Sequence, residues 1–506
     1  MAVLFKIPQN MDEIDLPIDI RVGLVSNYGR PQEDFLKACI KEYRDSEVYK
    51  IMEIGKNYFF NKNDIIHRER FYIDRRGEPV RTELLSNNKL AHPFMRKLVN
   101  QKVNYLLSKD FTIRGEENYI KELNKYFDDK FRLTLVNIGK ECIRCGIAWI
   151  QIYYNKDGEL KFKYIPSDEI IPFWHDSEHT ELDAIIRIYE KEKYEVNKIE
   201  KRIYEVIEYY TPEGLWKYER LKTGSNMVLL SPVEGEGHFK VVKDDETEIA
   251  ATWDKVPFVA FKYNMEEVSL INWIKPLIDD YDKQTSDNSN NLADVPNSIK
   301  VVEGYEDADK EEFSKNLNLF RTVFVGEGGD VRALSTDLDL EGADIHLKRL
   351  RKDIFEFGGG VDTVEKDLRD VAGVALRFQY ADLDMDCAEM AQQFRYSMRQ
   401  LQWFIDKDLD SKGKLVDDTD SDFIFNTDVI INETETINNL AITKDSISQK
   451  TLLQNHPWVK NVDEEIRDIQ TDKENEMKYE VQKEEELAKI DKKYEVKPQT
   501  SSISKT

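Results

Sequence analysis

Gly146-Ile147-Ala148-Trp149-Ile150-Gln151-Ile152-Tyr153-Tyr154-Asn155-Lys156-Asp157-Gly158-Glu159-Leu160-Lys161-Phe162-Lys163-Tyr164-Ile165 is the stretch on which the fold turns. Two alternating runs flank Asn155-Lys156-Asp157-Gly158, and runs of that period joined by turn-forming residues predict a β-hairpin. The residues just before it keep a different period: Leu133 to Cys145 is helical in spacing, and Gly146 follows as a helix-terminating glycine does. A helix that hands over to a hairpin predicts an α+β block.

The block extends in both directions. Upstream, Phe94 to Leu107 places Phe94, Leu98, Gln101 and Tyr105 on one face of a helix, with Pro93 suited to the first turn. A further helix is predicted over Ile120–Phe127, a short polar strand near Phe71–Gly77, and mixed, locally helical structure up to about Glu53. Downstream, Ile185–Tyr189, Ile203–Tyr210 and Leu215–Arg220 extend the hairpin into an antiparallel meander that Pro257–Phe261 closes. The block ends near Tyr263.

A segment of another kind follows. Ile271, Ile274, Leu277, Ile278 and Tyr281 keep helical spacing, but Asp282 to Asn291 is almost wholly polar, so the helix is expected to front water or to pack on copies of itself. Then comes a small insert: a strand over Ile299–Val302, a helix over Asp309–Phe320 and a strand over Thr322–Val325, ending in the Gly326–Asp330 turn. Leu347, Leu350, Ile354 and Phe357 mark another amphipathic helix, which stops at Gly358-Gly359-Gly360. After a loop-like stretch, Cys387, Ala391, Phe394, Met398, Leu401 and Ile405 recur at spacings of four and three through a long helix ending near Lys412-Gly413. Phe423–Phe425 reads as a strand and Glu433–Leu440 as a helix, followed by two short helical runs. From about Asp472, Lys and Glu dominate, which predicts a solvated helix or a flexible tail.

Length and charge set the outer limits. The 506 residues suggest about three domain-sized units at ~150 residues each. With 40% hydrophobic and 11% aromatic residues there is material for buried cores, and global disorder is excluded. The balance of 73 basic against 98 acidic side chains gives −25, the wrong sign for a protein that wraps tightly onto nucleic acid. Four scattered cysteines do not make a disulfide framework, which fits a reducing, cytosolic setting. No signal peptide and no ~18-residue apolar span are visible, so no membrane association is expected.

Chemical motifs are sparse. Cys142 and Cys145, taken with His175 and His179, carry the residue types of a tetrahedral zinc site, but the gap is long and a strand pair intervenes; buried thiols and loop histidines are the plainer reading. The pair Asp279-Asp280 and the set Asp382, Asp384 and Asp386 could bind Mg²⁺ for nuclease chemistry, although in so acidic a chain a solvated face is the simpler account. Gly326-Glu327-Gly328-Gly329 and Gly358-Gly359-Gly360 lack the lysine and hydroxyl of a phosphate-binding loop and read as turns. No metal, cofactor or catalytic constellation is expected.

In order along the chain, several pieces resemble the portal (head–tail connector) proteins of long-tailed double-stranded DNA bacteriophages, the class from phages of Gram-positive hosts. They are Asn87–Leu90 with Val99–Leu107, Gly146–Trp149 through Tyr164–Pro172, Val256-Pro257-Phe258 and Ile278–Lys283. Leu350–Ile354, Ala372–Phe378 and Ser448–Leu453 continue the series. The resemblance implies an α+β portal-type subunit with an α/β wing, a two-helix stem, a small α/β clip and a helical crown, assembling into a ring. It implies residues 1–263 as wing, 264–294 as the first stem helix and 295–341 as clip. Residues 342–358 become the second stem helix, 359–382 the tunnel loop and returning wing, and 383–411 the long helix from wing to crown. Residues 412–471 become the crown and 472–506 a charged tail. Pro276 falls inside the first stem helix, which is expected to begin or kink there.

The same resemblance implies a dodecamer at one capsid vertex of the virion, assembled in the host cytoplasm, with no enzymatic activity. Its partners would be the double-stranded DNA in the channel, terminase, scaffold and major capsid protein, and a head-completion or tail adaptor protein. Lys283, Lys348, Arg349, Arg351 and Lys352 become candidates for phosphate contacts in the channel, or for neutralising a neighbouring stem helix. The loop from Val361 to Tyr380 becomes a mobile gate offering Val361, Val364, Leu368 and Val371, with Lys366 and Arg369 as transient phosphate contacts. Glu365, Asp367 and Asp370 would repel the DNA backbone, and Gly358–Gly360 would free one end of the loop. A metal-dependent enzyme and another ring-forming tail adaptor are the competing classes.

Overall fold

A computed structural model describes residues 29–73, 78–81, 86–194, 201–242, 248–294, 299–303, 330–334, 340–364, 380–425, 437, 440–454, 456, 458–459 and 462–494. The described residues up to 425 form one compact unit, and those from 437 onward belong to a second.

The first unit opens with α1 (Glu33–Asp45) and α2 (Glu47–Phe59), followed by the small hairpin β1 (Phe71–Ile73) and β2 (Pro79–Arg81). Then come α3 (Phe94–Leu107), β3 (Thr112–Gly115), α4 (Glu117–Leu123) and α5 (Asp129–Cys145). The helix expected over Ile120–Phe127 therefore begins three residues earlier, because the Glu116 carboxylate caps it by accepting the Tyr119 N–H. α5 starts where the Asp128 carboxylate accepts the Phe131 N–H at 2.8 Å and stops at Gly146, whose φ is +86°. A Cβ at Gly146 would stand 1.9 Å from the Glu267 carbonyl oxygen, so only glycine fits this exit.

The hairpin β4 (Ile147–Tyr154) and β5 (Leu160–Ile165) forms with the expected bounds. The following strands are β6 (Ile170–Trp174), β7 (Leu182–Tyr194), β8 (Lys201–Thr211), β9 (Gly214–Leu221) and β10 (Met227–Leu229). A second small hairpin, β11 (Phe239–Val242) with β12 (Glu248–Ala251), precedes β13 (Phe258–Lys262). The single meander of the sequence reading is in fact two sheets: β13 pairs with β4 in a three-stranded sheet, while β6 to β10 form a separate five-stranded one. Alternation identifies strands but not which edge accepts them, and β13 returns to the hairpin's free edge.

Three apolar clusters follow from this arrangement. The largest packs α3, α5 and the three-stranded sheet against α8 (Ala381–Ser411), whose Phe394, Met398, Leu401 and Ile405 have no exposed surface. A second covers one face of the five-stranded sheet with Leu36, Ile40 and Tyr43 of α1. The third holds the two sheets together through Trp149 stacked on Trp174 at 5.7 Å, with Ile165, Ile185 and Phe258 around them.

Between β13 and α8 stand α6 (Ile271–Asp294), the strand pair β14 (Ile299–Glu303) and β15 (Asp330–Leu334), and α7 (Leu340–Phe357). The helix expected over 309–320 and the strand over 322–325 lie outside the described residues. Pro276 sits in the second turn of α6; the helix begins at Ile271 and continues past it, losing one backbone hydrogen bond. On α7 the buried face is Leu350, Ile354 and Phe355, whereas Phe357, expected in it, is 61% exposed. After α8 the strand β16 (Ser421–Ile424) pairs with β3 and so returns the chain to the α+β block. In the second unit, α9 (Gln449–Gln454) precedes one continuous helix, α10 (Val462–Tyr494), which takes in both the last short run and the start of the charged tail. That tail is therefore helical to Tyr494, and its described side chains, to Glu484, are exposed, the solvated helix of the two alternatives.

Candidate functional site

Helix α3 organises the junction from which α6, α7 and α8 depart. Its Met95, Leu98, Val99 and Leu106 are buried, and so is the whole of Lys102. The Lys102 Nζ donates to the Gly359 carbonyl at 2.8 Å and to Asp386 Oδ2 at 2.6 Å. Asp386 also accepts the Tyr263 hydroxyl at 2.8 Å. Burial, reinforced by the Asp386 charge, pushes the Tyr263 phenol well above its ordinary range, so it stays a donor. This ion pair, its lysine buried and its aspartate partly exposed, ties α3 to the end of α7 and the start of α8, and removing Asp386 would leave a buried ammonium without its counter-charge.

The neighbouring positions of α3 hold both ends of the 361–380 loop. Gln101 Nε2 donates to the Val361 carbonyl at 2.7 Å, and its Oε1 accepts the Val361 N–H at 3.1 Å. One turn on, the Tyr105 hydroxyl donates to Asp384 Oδ1 at 2.7 Å and its ring stacks on Tyr380 at 6.4 Å. Arg351 closes the same corner with a two-pronged contact to Asp362, Nη2 to Oδ1 at 2.8 Å, above the rings of Phe94 and Phe355. Burial alone would raise the Asp362 carboxyl. The bonds from Arg351 and the Val364 N–H, with the Arg351 and Lys97 charges, outweigh it and hold the group below the usual carboxylate range.

The glycines at this corner serve closeness rather than freedom. A Cβ at Gly360 would stand 2.2 Å from Leu98 Cδ2, and one at Gly358 would stand 2.7 Å from Leu98 Cδ1. Gly359 has φ +55° and presents its carbonyl to Lys102. The expected free end of the loop is therefore a tight seat on α3.

The polar stripe of α6 is also not what its composition suggested. Asp282, Ser286 and Asn290, one above another at i, i+4 and i+8, have no exposed surface. Each accepts a backbone N–H from the segment leading into α3: His92 N to Asp282 at 2.9 Å, Leu90 N to Ser286 at 3.0 Å, Asn88 N to Asn290 at 2.6 Å. Asn63 Nδ2 adds a bond to Asp282 at 2.6 Å. Four helical residues rise ~6.0 Å and two residues of extended chain ~6.6 Å, so alternate N–H groups meet successive turns and run antiparallel to them. This face of α6 is filled from within the subunit, where the sequence reading expected water or a second copy.

Of the candidate channel residues, Lys283 and Lys352 are exposed with no side-chain partner among the described residues. Lys348 bridges Asp344 one turn away and Arg349 lies 3.9 Å from Asp353, both with their side chains mostly in solvent. Arg351 departs from the set, being committed to Asp362. Val361 is buried and clamped by Gln101, whereas Val364 is 74% exposed. Lys366, Leu368, Arg369 and Val371 lie outside the described residues, as do Glu365, Asp367 and Asp370.

The zinc set does not converge. Cys142 faces the large core and Cys145 the inter-sheet core, and burial pushes both thiols well up. His175 meets Asp183, while His179 meets Glu267 and stacks on Trp174. Asp279 accepts from Tyr58 and Lys275, Asp280 from Gln284 and His346, so the acidic pair belongs to the packing of α6. Among the described residues no three His, Cys, Asp or Glu side chains are grouped to hold a metal ion. No described helix is long and apolar enough to cross a membrane.

Sequence reasoning missed Lys102 and the roles of Asp386, Tyr263 and the α6 stripe; Asp386 was expected only in an acidic set and Tyr263 only as the end of the block. Lys102 had a signal: it falls four residues after Leu98 and four before Leu106, inside an apolar face.

The family model described as "Phage portal protein, SPP1 Gp6-like" matches residues 40–479. A portal protein of Clostridium phage phiCD119 is 26% identical over 431 residues, 81% of this chain and 90% of that protein. The portal protein of Bacillus phage SPP1 is 25% identical over 458 residues, 89% of this chain and 88% of that protein. A chain of the structure titled "Neck of native GTA particle computed with C12 symmetry" aligns with 71% of this chain and 88% of its own length, at 11% identity and a TM-score of 0.37, too distant to fix the fold.

Proposed function

This chain belongs to the SPP1 Gp6-like family of phage portal proteins, and from that premise we propose that its copies close into a dodecameric ring around a channel for double-stranded DNA. The family is a structural one, and the protein is a head–tail connector of a virion. What supports the finer reading is one observation: the family match runs along the chain from 40 to 479, so it takes in the α+β block, the helix pair and the long helix together.

In this reading the block to 263 is the wing, α6 and α7 the stem, 295–341 the clip, and 359–382 the tunnel loop. α8 joins wing to crown, and the strand β16 belongs with the wing it pairs with. Lys283, Lys348, Arg349 and Lys352 supply weak, exchangeable phosphate contacts, while the net charge of −25 keeps DNA from being trapped in the lumen. The loop acts as a gate hung from Gln101, Lys102 and Tyr105. Val364, Leu368 and Val371 give it apolar contact with DNA, and Lys366 and Arg369 transient phosphate contact. Val361 and Arg351 are anchors instead.

Assembly takes place in the host cytoplasm with scaffold and major capsid protein; terminase docks first and a head-completion or tail adaptor protein later. The protein itself turns over no nucleotide and holds no metal. Electron microscopy of the purified protein and of capsids is the first test: rings at a single vertex are expected, and monomers under every condition would overturn the reading. Exchanging Lys283, Lys348, Arg349 and Lys352 together for Ala is expected to slow DNA packaging with the ring intact. ATP turnover or stoichiometric zinc in the pure protein would contradict the non-enzymatic assignment.

A further inference from the structure

A cavity of about 310 Å³ opens where α3 and α5 cross beside β5, and its polar lining is overwhelmingly cationic or amide. α5 presents Asn137, Lys140 and Arg144 to it, spaced i, i+3 and i+7 on one helical face, and α3 presents Arg96 and Asn100 at i and i+4. Phe59 and Tyr164 form the flat walls. The side chains of Arg96, Asn100, Asn137 and Lys140 have no partner among the described residues. Arg144 is only 12% exposed, and although one of its terminal nitrogens reaches Glu141, its Nε is buried with nothing to donate to. Its guanidinium is held over the Phe59 ring at 4.7 Å, which fixes the direction of that free donor.

The carboxylate that meets Arg144 is already used. Glu141 receives Lys56 at 3.2 Å, Arg144, and the Ser167 N–H at 3.0 Å, and Lys56 is shared with Asp168. Arg96 and Lys140 therefore stand as uncompensated charges in a concave site, within a chain whose net charge is −25. Cations lining one concave surface favour an anion there, and an unsatisfied buried donor costs about 1–3 kcal/mol. An oxyanion with several acceptor oxygens compensates the cations and takes the free amide donors together. The donors arrive from two helices and several directions, which a planar carboxylate with two oxygens cannot satisfy together and a tetrahedral phosphoryl group can. The volume leaves room for the group that carries it.

We propose that this cavity is a binding site for a phosphoryl group, with Arg96, Lys140 and Arg144 as its charged contacts and Asn100 and Asn137 as neutral donors. The ligand is either a free polyphosphate anion or a phosphate of a polynucleotide, and the chemistry at the protein is the same for both. The inference does not rest on the ring or on the channel.

The test is calorimetric titration of the full chain with inorganic pyrophosphate and, separately, with a 12-base-pair DNA duplex at low salt. Pyrophosphate is expected to bind with one site per chain, and Arg96→Ala with Lys140→Ala to weaken it at least about tenfold. Lys121→Ala, an exposed cation on α4 outside the cavity, should leave it unchanged. Saturable duplex binding that pyrophosphate displaces assigns the site to a polynucleotide phosphate; pyrophosphate binding without duplex competition assigns it to the free anion. No binding of either probe at millimolar concentration overturns the proposal. So does binding that survives the double substitution in a variant whose circular dichroism and melting match the parent.

Discussion

Two strongly polar helical stretches, α6 beyond Tyr281 and α10, read alike as sequence and differ entirely as structure. Both are long and rich in Asp, Asn, Glu or Lys with few apolar residues. In α6 the polar side chains at 282, 286 and 290 are sealed from solvent and consumed by backbone N–H groups of the same unit. In α10 every described side chain from 471 to 484 is exposed, and helicity rests on local propensity. Polarity alone therefore does not say where a helix sits. What separates the pair is the kind of polar residue: short acceptors repeated every four positions on α6, long charged chains all round α10. The former can hold the backbone of a neighbouring segment and the latter cannot.

Substitutions should expose this difference in proportion to what each strands. Asp282→Ala leaves the His92 N–H without an acceptor, at about 1–3 kcal/mol, and leaves the Asn63 amide only the His92 carbonyl at 3.2 Å, so denaturant unfolding should show a loss of about 2 kcal/mol or more. The matching change on α10, Glu474→Ala, should stay within about 0.5 kcal/mol; equal losses would break the contrast. Ser286→Ala, which removes one acceptor at the middle of the stripe, should cost about 1 kcal/mol and speed hydrogen exchange at the Leu90 amide first. The smallest effect belongs to acid. Asp362 has a folded pKa below its unfolded value, so its contribution is complete above about pH 4 and is lost as pH falls through the folded pKa. Proteolysis near Val364 should then rise in acid with α10 cleavage unchanged; an equal rise at both sites would show global unfolding instead.

Much of the fold was legible because it is written in local periods. The hairpin 147–165 and helix 94–107 fell where spacing put them, and the spacing of Cys387 to Ile405 identified a helix face that is wholly buried. The two-sheet division was not, because β13 chooses its edge through a distant partner. At the candidate site, Gln101 and Tyr105 were placed on one face of α3, and that face does carry the loop anchors. Lys102 was passed over because a lysine in a helix normally marks the solvent side, and nothing local announces that Asp386 will meet it. The α6 stripe was recognised as helical and polar, yet its partners are backbone N–H groups at 88, 90 and 92, for which a sequence has no letter. Phe357 was misassigned because Phe355, two positions earlier, takes the buried place.

The stripe on α6 also works as a vernier. Two scales of unequal pitch, ~6.0 Å on the helix and ~6.6 Å on the extended chain, agree at one mark and drift apart by ~0.6 Å at each mark away from it. The residue types differ in reach: serine, the shortest, stands at the middle position, and the longer asparagine and aspartate stand at the two outer ones. Three marks are then close to the limit for side chains of this size, which bounds how far a neighbouring segment can be read against a helix in this way. The same comparison of pitches implies a direction of error: lengthening the central residue by Ser286→Asn would push the two scales apart at the point where they coincide, and would do so without removing a single acceptor.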